Sequence, residues 1–442
     1  MGTRFRRRTP FESEGETGMT DLISLLNEND QISAWRVVRH STTSYELFFV
    51  HENVETVRAT DTLDTDVTVY VEHDQMLGDS TFSLSQAMSE EEIREKINTA
   101  TRRAKLVFNK PFELPSQAKE KCRLPSNLSE DLPKETARKI ADAVFAAKKD
   151  AGCSINALEI FLVRDTVSVQ NSRGLDKEEV RHRAMVEAIP TFTDENQSVE
   201  LYENLRFTTF DEKAISERIA EKMREVKDRA LAEKTSITKT MRVMLRAKEI
   251  EELLTEIIND LNFATVYAGA NLYSIGDDLQ RGAVDKITLT LEGQREGCDE
   301  SASFDDDGLG LTSAVLIKDG LVQQYHGANR FGQYLGVSSP TGVMRCMKLD
   351  KGTLTDNEKD RLPYLECASL SGLQVDLYND YIGGEIRLGY LYDGKEKKPV
   401  TGITMSGTLS KVLSTLHLSD QIVQEGSYEG PALMLLEDMK IL

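Results

Sequence analysis

The strongest constraint on the fold is a pair of Asp-Gly steps in the second half of the chain. Asp319-Gly320 separates the apolar runs Thr312–Lys318 and Leu321–Tyr325. Such a step between two apolar runs predicts a tight β-hairpin, because both turn positions require positive φ. Asp393-Gly394 repeats the arrangement. The second half is therefore predicted to be rich in antiparallel strands.

The first half combines helices with strands. Ser89 and Glu92 form a capping-box pattern, and apolar residues recur behind them every three or four positions, which predicts an amphipathic helix. Pro133 favours the first turn of a second helix, which ends at Gly152. The proline-rich stretch 110–133 is expected to be irregular. Strands are expected at 157–163 and 166–170 and, after the second Asp-Gly step, at Val400–Met405. We expect residues 171–174, Asn-Ser-Arg-Gly, to turn between two strands, since glycine adopts the positive φ that such a turn needs.

These patterns predict an α+β protein with two domains, and its 442 residues allow this at about 150 residues per domain. We place an N-terminal domain of helices packed on a sheet at 19–235. A strand-rich, partly closed C-terminal domain follows at 236–442. A highly charged helix at 211–233 is expected to join them, with an apolar stripe that runs from Ile215 to Ala230 and with its charges forming a solvated face. Residues 1–18 are expected to be a disordered leader, with Met19 as an alternative start.

The charge balance excludes several classes of partner. The 54 Lys and Arg residues stand against 74 Asp and Glu residues, which gives a formal net charge of −20. This excess disfavours direct binding to nucleic acid or to an anionic membrane, because both need a basic surface. No apolar run is long enough for a signal peptide or a membrane-spanning helix. We therefore expect a cytoplasmic protein.

Cysteine and histidine give little support to metal or disulfide chemistry. The five cysteines are far apart and form no C-x-x-C pair, which favours free, mostly buried thiols. A zinc peptidase needs two imidazoles on one helix face, and no two of the six histidines have that spacing. His51-Glu52 begins like H-E-x-x-H but continues Asn-Val-Glu. These patterns predict no metal site, no cofactor and no catalytic residue. The cysteines are Cys122, Cys153, Cys298, Cys346 and Cys367.

The acidic run Asp305-Asp306-Asp307-Gly308 admits two interpretations. An EF-hand is excluded, because placing Gly308 at the sixth loop position puts Ala314 at the twelfth, where a bidentate Glu is required. A divalent cation held by the three aspartates remains open. So does an acidic turn that leads into the hairpin at 312–325.

The order of several short motifs resembles the TldD/PmbA family, also called TldD/TldE. Its members were once described as modulators of DNA gyrase and are now regarded as peptidases. The resemblance runs from about Ala34 to Leu442, and the order and spacing of the motifs carry it. The motifs are Val67–Val71 followed by Ser89–Ile93, Asn171–Gly174, Phe304–Gly308, Leu316–Leu321, Thr341-Gly342 with Arg345, Gly402–Gly407 and Gly426–Pro431.

The resemblance also distinguishes between two branches of that family. In the TldD branch an H-E-x-x-x-H helix, helped by a late cysteine, holds the metal that cleaves peptides. The helix in the matching place here begins Ala247-Lys-Glu-Ile-Glu-Glu252 without histidine, and no cysteine follows Cys367. The chain therefore resembles the metal-free PmbA/TldE branch. It departs from the family at Val343-Met344, which replaces the usual Asn-containing sequence.

The resemblance implies a non-catalytic partner subunit of a TldD/TldE-type metallopeptidase that processes small or unfolded peptides. It would pair with a TldD-type subunit or with itself, and needs no cofactor of its own. Two alternatives stay open: an independent hydrolase that uses Asp305–Asp307 with a divalent cation, and a homodimeric regulator or scaffold, including the gyrase link. The residues that match family motifs, and are candidates for contacting substrate, are Asp306, Asp307, Gly308, Thr341, Gly342 and Arg345.

Overall fold

The structure is a computed structural model that describes residues 17–116, 118–147, 150–235 and 238–442. The expected leader at 1–18 lies outside these ranges except for its last two residues. The chain divides into two compact units. The first comprises the chain up to His40 with Leu63–Lys119 and Ser168–Lys177, and the second comprises Ser41–Thr62, Glu120–Val167 and Glu178–Leu442. The domain boundary expected near residue 235 stays a prediction.

Long strands alternate with amphipathic helices in the N-terminal half of the chain. In chain order these elements are α1 (Thr17–Asn27), β1 (Ala34–Val50), β2 (Asn53–His73), β3 (Met76–Leu84), α2 (Glu90–Ala104), β4 (Lys119–Arg123), α3 (Pro133–Phe145), β5 (Cys153–Asn171), β6 (Asp176–Thr193), β7 (Ser198–Glu200), β8 (Glu203–Phe207), α4 (Glu212–Leu231) and β9 (Glu233–Lys234). Strands β1, β2, β5 and β6 each contribute residues to both units.

Shorter strands dominate the C-terminal half. They and the helices between them are β10 (Lys239–Arg246), α5 (Ala247–Asp260), α6 (Phe263–Tyr267), β11 (Leu289–Glu292), β12 (Ser313–Lys318), β13 (Leu321–Val322), α7 (Asn329–Tyr334), β14 (Cys346–Leu349), α8 (Asp356–Lys359), β15 (Tyr364–Asp376), β16 (Tyr381–Tyr392), β17 (Lys397–Thr401), β18 (Ile403–Thr408), α9 (Leu409–Thr415), β19 (His417–Leu418), β20 (Ile422–Glu425), β21 (Tyr428–Pro431) and β22 (Leu433–Ile441). Helices hold 22% and strands 45% of the chain, which confirms the predicted α+β class.

The first unit packs α1 and α2 on a sheet. Strands β2 and β3 pair antiparallel from Thr65↔Leu84 to His73↔Met76. Helix α2 begins at the predicted capping box, in which Ser89 and Glu92 satisfy each other's backbone amides. Apolar residues from both helices meet the strands in one cluster. Its buried members are Leu22, Leu25, Leu26, Trp35, Val37, Val67, Val69, Ile97 and Ala100.

Helices α3 and α4 pack against each other and against β5 and β6 in the second unit. Helix α4 is the predicted charged helix, capped by Asp211, whose carboxylate accepts the amide of Ala214 at 3.0 Å. Its apolar stripe enters the core, as the sequence predicted. The buried residues from these four elements include Ile140, Val144, Leu158, Ile160, Val186, Ala188, Ile215, Ile219 and Met223.

The C-terminal part of the second unit contains a closed ring of strands. The strands follow one another in the order β15-β10-β22-β18-β16, and β16 pairs with β15 to close the ring. A second sheet has the order β13-β12-β11-β14-β21-β20. The predicted hairpin at Asp319-Gly320 joins β12 to β13, with φ of +50° and +80° at the two turn residues.

Several predicted elements differ from the observed ones. The two predicted strands at 157–163 and 166–170 form the single strand β5. Residues 110–133, expected to be irregular, contain β4. The predicted strand Val400–Met405 is divided at Gly402, where φ is +74°, between β17 and β18. Pairing with neighbouring strands determines where each strand begins and ends. The local sequence pattern does not show which strands pair.

The prediction of free thiols is wrong for two of the five cysteines, because Cys298 and Cys346 form a disulfide. Glu292 is the strand partner of Cys346, and the chain leaves β11 directly after Glu292 into the loop that carries Cys298. The loop returns at Ala302, whose amide donates to the carbonyl of Gly293 at 2.7 Å. This return brings together two sulfur atoms from residues 48 positions apart.

Among the residues that the structure describes, none of the helices combines the length and apolar character needed to cross a bilayer.

Candidate functional site

A cleft of about 1300 Å³ lies beside α5 in the second unit. Its walls come from α4, α5 and β15, together with residues of β8 and β20. The amphipathic character of α5 explains its position, because one face of the helix is fully buried in the core. That face consists of Ile250, Leu253, Leu254 and Ile257. The charged residues of the same helix therefore remain to line the cleft.

Alternating acidic and basic side chains run along the α4 side of this cleft. Arg218 Nε lies 2.9 Å from Glu203 Oε1, and Lys222 Nζ lies 3.1 Å from Glu203 Oε2. Lys222 Nζ is also 2.6 Å from Glu225 Oε2. Burial lowers the pKa of Lys222, but Glu203 and Glu225 more than offset this effect, so its pKa is raised and it stays charged.

The same series continues through Arg246, the last residue of β10. Arg246 pairs with Glu225 and, through Nη2 at 2.8 Å, with Glu366 Oε1 of β15. Lys397 Nζ lies 2.5 Å from the other oxygen of Glu366. Burial alone would raise the pKa of both carboxyls, but the neighbouring cations lower it. We call this series, Arg218–Glu203–Lys222–Glu225–Arg246–Glu366–Lys397, the ion-pair chain.

The ion-pair chain was missed by reasoning from the sequence. The charges of α4 were expected to form a solvated face, yet Lys222 and Glu225 are buried. That part of the expectation is wrong, because Glu203 and Arg246 supply partners from other elements. Buried charges of opposite sign require such partners. No local pattern in α4 identifies them, since Arg246 lies 21 residues from Glu225 in the chain.

Helix α5 presents several carboxylates to the cleft in addition to the paired ones. Glu249, Glu252 and Glu256 all line it. The carboxylate of Glu252 accepts the amide of Leu373 at 3.2 Å, which ties α5 to β15. Glu249 is 6% exposed, and burial raises the pKa of its carboxyl group. This wall of the cleft is therefore acidic.

The sequence-predicted candidates lie elsewhere, in two loops that the structure brings together. The carboxylate of Asp305 organises both loops: Oδ1 accepts the amides of Asp307 and Leu309 at 3.0 Å, and Oδ2 accepts the amide of Val343 at 3.1 Å. Burial, with a smaller contribution from Asp307, raises the pKa of Asp305 to about 6. None of the predicted candidates is among the described residues that line the cleft.

The individual candidates have different environments. Thr341 Oγ1 accepts the amide of Gly327 at 3.0 Å. Gly342 has φ of +74°, and a Cβ at this position would collide with Leu311. Arg345 is exposed and lies 3.3 Å from Glu300. Three more candidates belong to the turn after Asp305, namely Asp306, which is exposed, Asp307, which is half-buried, and Gly308, which is buried. Their role in contacting substrate stays a prediction.

The C-terminal part of the chain matches a known protein family. Residues 238–442 match the family described as "PmbA/TldA metallopeptidase C-terminal domain". Residues 238–442 therefore belong to the TldD/PmbA family. No curated protein matches its sequence.

Solved structures similar to this chain cover almost its whole length. TldE from Thermococcus kodakarensis is 14% identical with a TM-score of 0.75, covering 95% of this chain and 99% of that one. A candidate modulator of DNA gyrase from Bacteroides thetaiotaomicron is 13% identical with a TM-score of 0.77, covering 95% and 97%. Another from Thermotoga maritima is 15% identical with a TM-score of 0.73, covering 96% and 99%. At these identities the likeness shows the fold.

The family name implies a peptidase metal, but the residues of the cleft do not fit one. In the described parts of the chain, no group of three or more His, Cys, Asp or Glu side chains is arranged to hold a metal ion. Glu225 and Glu366 are each paired with Arg246 and with a lysine, Lys222 or Lys397. Cys367 is fully buried, and burial raises its pKa well above the ordinary value, so it stays a thiol rather than the thiolate that metals bind. We derive no metal-dependent step in this chain.

Proposed function

We propose that the chain is the metal-free, non-catalytic partner subunit of a TldD/TldE-type metallopeptidase. Its substrates are small or unfolded peptides, and the peptide bond is cleaved at the metal of the partner. The subunit contributes a wall of the chamber and a cleft that positions the peptide. The proposal includes a cytoplasmic location and a dimer, formed with a TldD-type chain or with a second copy.

The observation that carries this proposal is the chemistry of α5. At the place where the resemblance puts the H-E-x-x-x-H helix, α5 offers Lys248, Glu249, Glu251 and Glu252 but no imidazole. Arg246, directly before the helix, is committed to two carboxylates. A peptidase metal needs neutral imidazoles and an open coordination position. Paired cations and anions can hold a polar peptide but cannot activate water in that way.

Co-purification tests the proposal. A TldD-type protein with an intact H-E-x-x-x-H motif would carry the only affinity tag and be produced together with this chain. We expect the two chains to co-elute in size-exclusion chromatography. Cleavage of an unstructured peptide should depend on the tagged partner and be lost with a chelator. A partner whose two motif histidines are replaced by alanine serves as the control.

Two results would contradict the proposal. One is peptidase activity of this chain alone that survives chelator. The other is failure of the two chains to associate at micromolar concentration. The alternative hydrolase is less well supported, because Asp305 already accepts three backbone amides. Activity that requires both a divalent cation and Asp306 would favour that alternative.

A further inference from the structure

The cleft beside α5 has an acidic wall that is formed by Glu249, Glu252 and Glu256. We propose that this cleft binds extended peptides that carry lysine or arginine, and that their cationic side chains contact Glu249 and Glu252. The inference rests on the proposed function, since it names the class of peptide that the subunit accepts. It concerns binding by this chain, and can therefore be tested without peptidase activity.

The charge inventory of the cleft is the first observation. Among the described residues that line it, nine are carboxylates and five are basic. Arg218, Lys222 and Arg246 are committed to the ion-pair chain. Arg206 Nη1 lies 3.5 Å from Asp299 Oδ2. Most of the positive charge is thus already compensated, and a cationic ligand is favoured over an anionic one.

The spacing of the remaining carboxylates is the second observation. Glu249, Glu252 and Glu256 are separated by three and four residues along α5, so they lie on one face of the helix. All three line the cleft. Like charges held this close repel one another, and the arrangement is stabilised by a cation placed between them.

Glu249 supplies the independent indication of a ligand. Its side chain is more than nine-tenths buried and lines the cleft. Within the described chain, the one hydrogen-bond donor that lowers its pKa is its own backbone amide; Lys248 and Arg246 act on it only through their charge. Buried carboxylates are normally paired, because an unpaired one loses its hydration without compensation. A ligand ammonium or guanidinium group would supply the compensating positive charge.

Apolar residues beside the acidic helix suit the aliphatic part of a long basic side chain. Ala368, Leu370 and Leu373 of β15 line the cleft, and the amide of Leu373 donates to Glu252 of α5. The pairing of β15 with β16 shifts register in this region. The methylene groups of lysine and arginine pack on apolar surface while the charged end reaches a carboxylate. Apolar surface next to these carboxylates therefore favours the two long basic side chains over a small cation.

Fluorescence anisotropy with the full-length chain tests the inference. Three labelled, unstructured peptides of equal length would contain lysine, glutamine or glutamate at the same positions. We expect the lysine peptide to bind at least about tenfold more tightly than the glutamine peptide, and the glutamate peptide to bind most weakly. The double variant Glu249→Gln with Glu252→Gln should lose most of this preference.

The matched control is Glu91→Gln with Glu95→Gln on α2. These two residues are exposed, and the double variant changes the net charge by the same amount. We expect it to keep the preference of the wild type. Circular dichroism would verify folding of each variant, and the comparison of peptides on the wild type does not depend on any variant.

Three results would overturn the inference: equal binding of the three peptides, equal loss in both double variants, or no binding of the lysine peptide. Displacement of that peptide by spermine at equal concentration would assign the cleft to free polyamines instead of peptides. Failure here combined with co-purification of a TldD-type partner would leave the proposed function intact. Lysine-peptide binding without a partner complex would reject the proposed function alone.

Discussion

Single carboxylates serve two distinct purposes in this protein. The carboxylate of Asp305 accepts three backbone amides and holds two loops together. That of Glu249 is buried beside the cleft, where the described residues give it little compensation. The first is a structural group and the second is the candidate binding group, although both have a raised pKa. Substitutions should separate the two roles.

Asp305→Asn should destabilise the protein. An asparagine keeps one acceptor oxygen but presents an NH₂ group to an amide that now donates to a carboxylate. We expect the free energy of unfolding to fall by about 1 to 3 kcal/mol, measured by urea denaturation. Asp306→Asn, at the exposed neighbouring position, should change it by less than about 0.5 kcal/mol. Equal effects of the two substitutions would contradict the structural role of Asp305.

Glu249→Gln should stabilise the protein at neutral pH. The pKa of Glu249 is raised above the usual 4.5 in the folded state, so the fold binds its proton more tightly than the unfolded chain does. Between those two pKa values, the stability contributed by this group falls as the pH rises. The gain from the neutral side chain should thus be largest near pH 7 and shrink toward pH 4. Urea denaturation at both pH values checks this, and a gain independent of pH would contradict it.

Secondary-structure elements are tied together around the cleft by the ion-pair chain. It connects α4, the junction of β10 with α5, and β15 through charged groups that are largely buried. Such pairs contribute little net stability compared with apolar packing, but losing one partner leaves a buried charge uncompensated. The ion-pair chain therefore constrains how these elements are positioned, and α5 presents its carboxylates at defined places.

Arg246→Ala should be among the most damaging substitutions. It removes from Glu225 and from Glu366 one of the two cations that lower their pKa values. We expect the free energy of unfolding to fall by about 3 to 5 kcal/mol at pH 7. The loss should decrease as the pH falls, because the two carboxyls then become protonated. Lys248→Ala, at the exposed neighbouring residue, should have little effect. A loss that is the same at every pH would contradict the ion-pair explanation.

At the scale of the whole molecule, contacts between residues that are far apart in the sequence complete the fold. Strand β15 completes the ring by pairing with both β10 and β16. The disulfide joins Cys298 to Cys346. The amide of Leu373 in β15 donates to Glu252 of α5, and both elements line the cleft.

Removal of the disulfide should lower the stability of the entire fold. The disulfide closes a loop between residues 48 positions apart. In the chain-entropy description this closure contributes at most about 4 kcal/mol to the free energy of unfolding. The double variant Cys298→Ser with Cys346→Ser should therefore unfold at a lower urea concentration than the unreduced wild type. Alkylation of the denatured, unreduced protein should label Cys122, Cys153 and Cys367 alone. Labelling of all five cysteines without reductant would contradict the disulfide.

The sequence alone determined the features that depend on neighbouring residues. The capping box at Ser89 and the Asp319-Gly320 turn form as predicted, because their hydrogen bonds and φ angles are local. The apolar stripe of α4 was predicted for the same reason. The fold class followed from such elements taken together.

The tertiary structure alone decided the ring of strands, the disulfide, the ion-pair chain and the acidic cleft. Arg246 meets Glu225 and Glu366 across separations of 21 and 120 residues. Whether a charged residue is solvated or buried depends on which distant element packs beside it. A sequence pattern records the charge, but its partner and its burial are set by the packing of the whole chain.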